Sequence, residues 1–413
     1  MARLKATRVL VRLFGAAGLC LASANSIRAQ HVHGAPCDPL RSCLAAQATG
    51  VLTHLRAERG RTFTEAYLSQ PFVAGSISAR GGRLQALGMY NFEGYTLRRG
   101  ELSPGTWGEG YVDRRHPHTH VHELMLGAQG TLGVTRFSLF AGKGFVPFGS
   151  DDPMMRPFVR YPANHHLAQI LERAQIVGAA RVGRVALEIA GLGGDEPEGA
   201  TDWPNHDRLF DSWSARATLF APRGFEAGMS VAQLKSPEFA AGFGLNQNKY
   251  SATLRYLGSP NARVSYALVE WAHTSEWLGE RKDLWSFASG LGEVSVRSGI
   301  GDFSLRLERT SRPEEQRDRS PFRSVRPLLD FGIVGRTRWE SLTVGWWRLP
   351  AENRFQVAPF LEVSVNRARP LERVVIASPA DAFGGLRLFS ISGGVRVGFG
   401  SMRPRMGRYG AAA

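Results

Sequence analysis

Long apolar runs, lysine and recognisable catalytic motifs are all scarce in this sequence of 413 residues. No segment offers about 18 consecutive apolar residues, which excludes a membrane-spanning helix. No spacing among serine, histidine and aspartate side chains is specific for a hydrolase. The sequence therefore predicts neither a helical membrane protein nor an enzyme.

Cysteine is equally rare, with three in the whole chain. Cys20 lies in the leader described below, so only Cys37 and Cys43 would remain after export. Their spacing fits no zinc motif. Because disulfides persist in oxidising compartments, we expect a local disulfide between Cys37 and Cys43.

Residues 1–29 have the pattern of a secretory signal peptide. Basic residues up to Arg12 precede a short apolar run from Leu13 to Ala24, and cleavage is expected after Ala29 or Ala24. The apolar run is too short to span a bilayer. The chain is therefore expected to be exported.

Only five lysines contribute to the formal net charge of +15, so arginine carries nearly all of it. For an exported chain, anionic lipid headgroups or anionic solutes are more natural partners than nucleic acid, which we do not expect. A preference for arginine also follows from genome composition alone. The sequence does not decide between these explanations.

Strand-like alternation organises most of the chain. Residues 30–70 are mixed and predict an N-terminal periplasmic extension, with a short helix from Leu44 to Arg56. Over residues 71–400, segments with one apolar and one polar face follow each other, as in β-strands. Residues 401–413 are expected to form a C-terminal tail. Clear strands begin near Trp213, Tyr250, Phe303 and Phe355.

Two architectures give this alternation in an exported chain. In a soluble sandwich the apolar faces meet in a core, whereas in an outer-membrane barrel they face lipid and the polar faces line the lumen. The segments run for about nine to twelve residues, the length of a tilted membrane strand. Aromatic residues such as Tyr90, Trp339 and Trp347 lie at segment ends, as in interfacial girdles. We therefore predict an all-β fold, a transmembrane antiparallel β-barrel of about 14–16 strands in the outer membrane of a Gram-negative-type bacterium.

The polar faces of these strands would line the lumen. Eight charged side chains fall on them: Arg184, Arg216, Arg255, Arg306, Arg396, Glu188, Glu308 and Glu362. Charges of both signs allow a basic lumen that selects anions. They equally allow a narrow lumen in which opposite charges pair across neighbouring strands.

Six of the eleven histidines lie between positions 116 and 166. His116, His118, His120 and His122 would share one face of an extended strand, and the pair His165-His166 follows in the next long connection. Neutral imidazole suits copper, zinc or nickel, so convergence of these side chains would create a metal site. Their wide spacing equally fits a polar strand entry at headgroup level, with no cofactor.

Several short motifs follow each other in a fixed order. They are His116-Pro-His118, Phe148-Gly149 with Met154-Met155-Arg156, His165-His166, Gly194-Asp-Glu-Pro197, Asp211-Ser-Trp-Ser-Ala-Arg216 and Ser236-Pro-Glu238. Over about residues 83 to 250 this series resembles an uncharacterised family of bacterial outer-membrane β-barrel proteins. The family's aspartate after HPH is Thr119 here, and its DSTH segment is replaced by Leu171-Glu-Arg-Ala174, which removes one histidine from any metal site. The resemblance implies a fold and a location, and it brings no substrate.

The expected function is that of a porin-like passive channel for small anionic or metal-associated solutes. A structural or surface-binding barrel with a plugged lumen is the alternative. A rim-located hydrolase that uses His206 and Asp207 is a third hypothesis. The sequence does not fix the oligomeric state.

Overall fold

The computed structural model describes residues 42–58, 62–97, 101–106, 110–113, 119–150, 152–197, 199–259, 261–315, 333–348, 355–372, 385–400 and 405–413. Sixteen strands of these residues close into one barrel, in the order β1, β2, β3, then β6 through β18, which pairs with β1. All neighbours are antiparallel, and β4 and β5 form a separate hairpin. The prediction of an antiparallel barrel of 14–16 strands is therefore confirmed.

The strands are β1 Cys43–Ala57, β2 Thr62–Ala79, β3 Leu84–Asn91, β4 Glu101–Thr106, β5 Gly110–Asp113, β6 Val121–Leu132, β7 Thr135–Gly144, β8 Arg173–Val182, β9 Val185–Leu192, β10 Ser212–Phe220, β11 Phe225–Leu234, β12 Asn246–Leu257, β13 Val264–Leu278, β14 Arg281–Ser298, β15 Gly301–Glu315, β16 Ile333–Trp347, β17 Phe355–Pro370 and β18 Arg387–Gly400. The helical turns are α1 Glu93–Thr96, α2 His165–Ala168 and four short 3₁₀ turns, Pro153–Met155, His206–Arg208, Pro222–Gly224 and Gly410–Ala412. In the part of the chain that the structure describes, no helix has the length and apolar character needed to cross a membrane.

The barrel wall begins earlier than the sequence predicted. Residues 43–57 form β1 and residues 62–70 belong to β2, so the expected extension is wrong over this range, as is the helix from Leu44 to Arg56. Ladders to β18 on one side and β2 on the other hold β1 in the wall. Cys43 is disulfide-bonded. Cys37 and the signal peptide lie outside the described residues, so the pairing with Cys37 stays a prediction.

The two ends of the barrel differ in the length of their connections. At the end where β1 begins and β18 ends, every connection between wall strands has two to seven residues. At the other end, six of eight connections have eleven residues or more. Outer-membrane barrels have short turns on the periplasmic side and long loops outside. We call these the short-turn end and the long-loop end.

The outer face of the wall is apolar. Leu187, Ile189 and Met229 are exposed by 55–71%, on the faces opposite to buried polar residues of the same strands. Burying such a face in lipid removes it from water, which a closed barrel allows because every backbone group is paired within the sheet. The chain is therefore an outer-membrane β-barrel.

Exposed aromatic side chains mark both ends of the apolar band. Trp213 and Tyr250 lie toward the long-loop end, and Phe303 and Phe355 lie toward the short-turn end. This matches the two interfacial girdles of membrane barrels. Trp339 and Trp347, expected in a girdle, are instead fully buried on the inner face.

Candidate functional site in the barrel lumen

The inner face carries most of the charged residues that the alternation predicted for the lumen. Seven are buried within it: Arg216, Arg255, Arg306, Arg396, Glu188, Glu308 and Glu362. Arg184 is the exception, because it lies in the two-residue turn between β8 and β9 and is exposed. The assignment of Arg184 to the lumen is therefore wrong.

The connection between β7 and β8, residues 145–172, folds into the lumen, and we call it the inner loop. Phe158 and Leu167 of this loop are fully buried. Trp347 of β16 donates its indole N–H to the carbonyl oxygen of Pro157 at 3.1 Å. The loop therefore crosses from its own side of the barrel to the opposite wall.

Wall glutamates supply the hydrogen-bond partners that the buried backbone of the inner loop requires. Glu362 of β17 accepts from the Val159 amide at 2.5 Å. Glu308 of β15 accepts from the Ala163 amide at 2.7 Å. These two carboxylates therefore anchor the inner loop to the far wall.

Arg156 of the inner loop joins it to β13 and β14. Its guanidinium lies 3.0 Å from Glu270 and 3.7 Å from Glu293, and Glu293 also pairs with Arg306 at 2.6 Å. Burial opposes the charge of Arg156, but Glu270 and Glu293 outweigh it and raise the pKa of the guanidinium. Arg156 therefore stays charged and tied to the wall.

Residues 405–413, which follow β18, lie inside the lumen, and we call them the inner segment. Arg408 and Tyr409 are each 1% exposed. The Tyr409 hydroxyl donates to Glu123 of β6 and accepts from the Phe145 amide, both at 3.0 Å. The segment therefore contacts the wall and the first residue of the inner loop. Over residues 405–413, the predicted C-terminal tail thus lies inside the barrel.

The inner segment and the inner loop also share a small apolar cluster. Met406 packs there with Phe145, Met154 and Leu171 of the inner loop, and the wall contributes Phe72. Displacing either element would expose part of this cluster to water. The positions of the two elements are therefore coupled.

Two arginines of the inner segment complete a charge network on β9, β10 and β11. Arg405 binds Glu226 through two hydrogen bonds of 2.7 and 3.0 Å. Arg408 lies 3.1 Å from both Glu226 and Glu188, and Glu188 also pairs with Arg216 directly across the strands at 2.6 Å. Charge-assisted contacts of this kind fix the segment to the wall near the short-turn end.

Wall residues beside these elements are shielded from water. Arg306 of the wall is 1% exposed and Thr310 is fully buried, although both face the lumen. A cavity of about 20 Å³ lies between the inner loop and β11 and β12, with Arg173, Lys249 and Glu238 on its walls. That volume holds a single water molecule. The inner loop and the inner segment therefore narrow the lumen at these positions.

The strand histidines take separate partners. His120 stacks on Tyr95 and Tyr90, with ring centroids 4.3 and 5.5 Å apart. His122 is buried, and its Nδ1 shares a hydrogen bond with Glu172 at the end of the inner loop. The His120 ring thus belongs to the rim of the wall, and the His122 ring helps to attach the inner loop.

The histidine pair lies elsewhere, on α2 within the inner loop. The ring of His165 stacks on Tyr161 at 4.7 Å and lies 4.8 Å from that of His166. Within the described ranges, no group of three or more His, Cys, Asp or Glu side chains could hold a metal ion. His116 and His118 lie outside those ranges, so the metal site stays a prediction.

Several motif residues join two connections at the long-loop end. Arg208 binds Asp211 at 2.9 Å and lies 3.6 Å from Asp195, and it donates to the carbonyl oxygens of Lys235 and Ser236. Burial raises the pKa of Asp195, although nearby arginines oppose the shift. These residues therefore hold loops in place, which accounts for part of the motif series without catalysis.

His206 and Asp207, the residues of the hydrolase hypothesis, are exposed on a 3₁₀ turn of the same region. The His206 Nε2 accepts a hydrogen bond from the Trp203 indole at 2.9 Å. The Asp207 amide donates to Asn205 as part of a helix cap. These contacts are those of a loop turn and give the hydrolase hypothesis no support.

The sequence pattern missed Arg405, Arg408, Glu270 and Glu293 as lumen residues. Glu270 and Glu293 could have been found from the sequence, because they alternate with the outward-facing positions of β13 and β14 and therefore face the lumen. Arg405 and Arg408 could not have been found in this way, since they lie outside the strands and show no alternation.

Comparisons with known proteins agree on the fold. No family model and no curated protein matches this chain. An anion-selective porin from Comamonas acidovorans is similar with a TM-score of 0.52 and 12% identity, covering 87% of this chain and 99% of the porin. The outer membrane channel DcaP of Acinetobacter baumannii is similar with a TM-score of 0.50 and 8% identity, covering 87% of this chain and 96% of DcaP. At such identities the likeness shows a shared fold.

Proposed function

We propose that this protein is an outer-membrane channel for small polar solutes, and that the inner loop and the inner segment give it a narrow or closed state. The observation that carries the proposal is how the lumen is filled. The inner loop and the inner segment are held to the wall mainly by hydrogen bonds and ion pairs, which water and solutes can replace. A barrel of this strand number encloses an aqueous channel when its interior is not filled.

The channel is expected to discriminate weakly between anions and cations. The described residues include fourteen buried carboxylates and twelve buried lysines and arginines. Half of them pair with each other, as Arg216 does with Glu188. The formal surplus of +15 is therefore not concentrated in the lumen. This balance argues against the strongly anion-selective lumen that overall charge alone suggests. Two proteins that share the fold are named as a porin and a channel, which agrees with the proposal.

Conductance in planar bilayers should depend on the inner segment. A variant lacking residues 405–413 should give discrete conductance steps that are larger or more frequent than those of the full chain, because the inner segment then no longer fills the short-turn half. Arg405→Gln with Arg408→Gln keeps the segment and removes its charge contacts with Glu226 and Glu188. The open probability of this double variant should lie between that of the full chain and that of the variant lacking residues 405–413.

Arg83→Gln with Arg263→Gln is the matched control, because both arginines are exposed at the short-turn end. This variant should conduct as the full chain does. Folding of each variant is judged by heat-modifiable gel migration. If all variants fold but none gives conductance steps, the protein is a plugged structural barrel and not a channel. Hydrolytic activity that is lost in His206→Ala would favour the rim hydrolase instead.

A further inference from the structure

The outer face of β17 has an apolar stretch of defined length. From Phe355 to Val365 its outward side chains are apolar and largely exposed. Eleven residues of a strand rise by roughly 33 Å, and a tilt of about 40° turns this into a height of about 25 Å, the thickness of the lipid-facing band of such barrels. Val365 therefore marks the edge of the band toward the long-loop end.

Arginines begin immediately beyond that edge. Arg367 lies directly opposite Glu340 of β16 on one side and Arg387 of β18 on the other. Glu340 lies opposite Arg309 of β15, which completes one cross-strand row. The next row toward the long-loop end places Arg338 opposite Arg369. We call these residues the arginine rows.

The arginine rows contain two pairs of like-charged neighbours that the fold alone does not explain. Arg367 faces Arg387, and Arg338 faces Arg369. Directly opposed side chains on one face have Cβ atoms about 5 Å apart, and like charges at that distance are destabilising. An anion between them would turn this repulsion into attraction.

Among the described residues, Glu340 lies within the rows, and Glu58 at the end of β1 adjoins Arg387, whose carbonyl oxygen accepts from the Glu58 amide at 3.0 Å. Glu340 lies 3.8 Å from Arg309 and 3.9 Å from Arg369. Within the described ranges, Arg338, Arg367 and Arg387 form no ion pair. The arginine rows thus hold five guanidiniums and one carboxylate, at the depth where lipid headgroups lie.

We infer that the arginine rows bind phosphate groups of lipids in the leaflet at the long-loop end. Guanidinium groups present a fork of donors that matches a phosphate. A lipid phosphate at this depth would accept from Arg367 and Arg387 together while its acyl chains pack on the apolar face below. The same chemistry attracts free phosphate, but the continuity with the apolar band favours a lipid.

Native mass spectrometry of the purified protein in non-ionic detergent, titrated with diphosphorylated lipid A, tests this inference. Arg367→Gln with Arg387→Gln should weaken the apparent affinity by about tenfold or more, since each surface arginine contributes roughly fivefold to binding of anionic lipid. Arg83→Gln with Arg263→Gln, at the opposite end, should change it by less than about twofold. Bilayer conductance and heat-modifiable migration should stay unchanged in both variants.

Three outcomes would overturn the inference. Equal binding of dephosphorylated lipid A would assign the affinity to the acyl chains. Displacement of lipid A by an equal concentration of inorganic phosphate would indicate a site for a free anion. An oligomer that persists without lipid and dissociates in the Arg367→Gln, Arg387→Gln variant would assign the arginine rows to a contact between protein chains.

Discussion

The side chain of Arg156 holds the inner loop to β13 and β14. Replacing it with alanine removes the ion pairs to Glu270 and Glu293. Breaking a buried pair costs about 3–5 kcal/mol. We expect the low end of this range, because Glu293 keeps its ion pair with Arg306 and Glu270 keeps its hydrogen bond from Asn164. Arg156→Ala should therefore lower the urea midpoint of unfolding and raise the mean conductance in planar bilayers.

Arg156→Lys serves as the matched variant, since it keeps the charge and loses the planar fork of donors. It should fall between the wild type and Arg156→Ala in both measurements. If Arg156→Ala folds and conducts as the wild type does, the inner loop is not held in place by this residue.

At the residue scale, alternation along a strand identified inward charges wherever a strand was present. It placed Arg216 and Glu188 on the inner face, where they pair. It failed at Arg184, which has the same parity as Glu188 but lies in a turn, where parity has no meaning. Arg408 could not be found this way, because its partner Glu188 lies 220 positions earlier in the chain.

At the scale of elements, β1 was the least predictable part of the wall. Its sequence from Leu44 to Leu52 is rich in alanine, and small side chains give a weak period-two signal that also suits a helix. Pairing with β2 and β18 decides the outcome. The inward path of the inner loop was equally hidden, because it depends on glutamates of distant strands.

Substitution on the outer face of β1 tests its place in the wall. Leu52 is 56% exposed and lies opposite Gly393, near the middle of the apolar band. Leu44 is 58% exposed and lies at the short-turn end. Arginine on the lipid face costs about 2–4 kcal/mol at the bilayer midplane and about 0–1 kcal/mol near the interface.

We therefore expect Leu52→Arg to destabilise the barrel in lipid bilayers far more than Leu44→Arg, as measured by reversible urea unfolding. A periplasmic extension would tolerate both substitutions. Equal and small effects would contradict the assignment of residues 43–57 to the membrane wall.

At the scale of the whole molecule, β1 gives the barrel an even number of strands. The start of β1 and the end of β18 therefore lie at the same end of the barrel. In the structure β13 and β14 continue to a two-residue turn, Gly279 and Glu280. A short turn alone therefore does not identify the periplasmic side, and strand parity is needed as well.

Two turns of equal length give the sharpest test of this sidedness. Glu280 lies in the two-residue turn between β13 and β14 at the long-loop end, and Ile300 lies in the two-residue turn between β14 and β15 at the short-turn end. Both are exposed, so accessibility to a reagent depends on which side of the membrane each faces. Glu280→Cys should react with a membrane-impermeant maleimide on intact cells. Ile300→Cys should react only after the outer membrane is permeabilised.

The wild type provides the blank, because Cys43 is disulfide-bonded and should not react. Labelling of Ile300→Cys but not Glu280→Cys on intact cells would invert the barrel and place the arginine rows in the periplasmic leaflet. Labelling of both would instead indicate a passage wide enough for the reagent. A smaller reagent that reaches Ile300→Cys only in the variant lacking residues 405–413 would tie that passage to the inner segment, because both lie at the short-turn end.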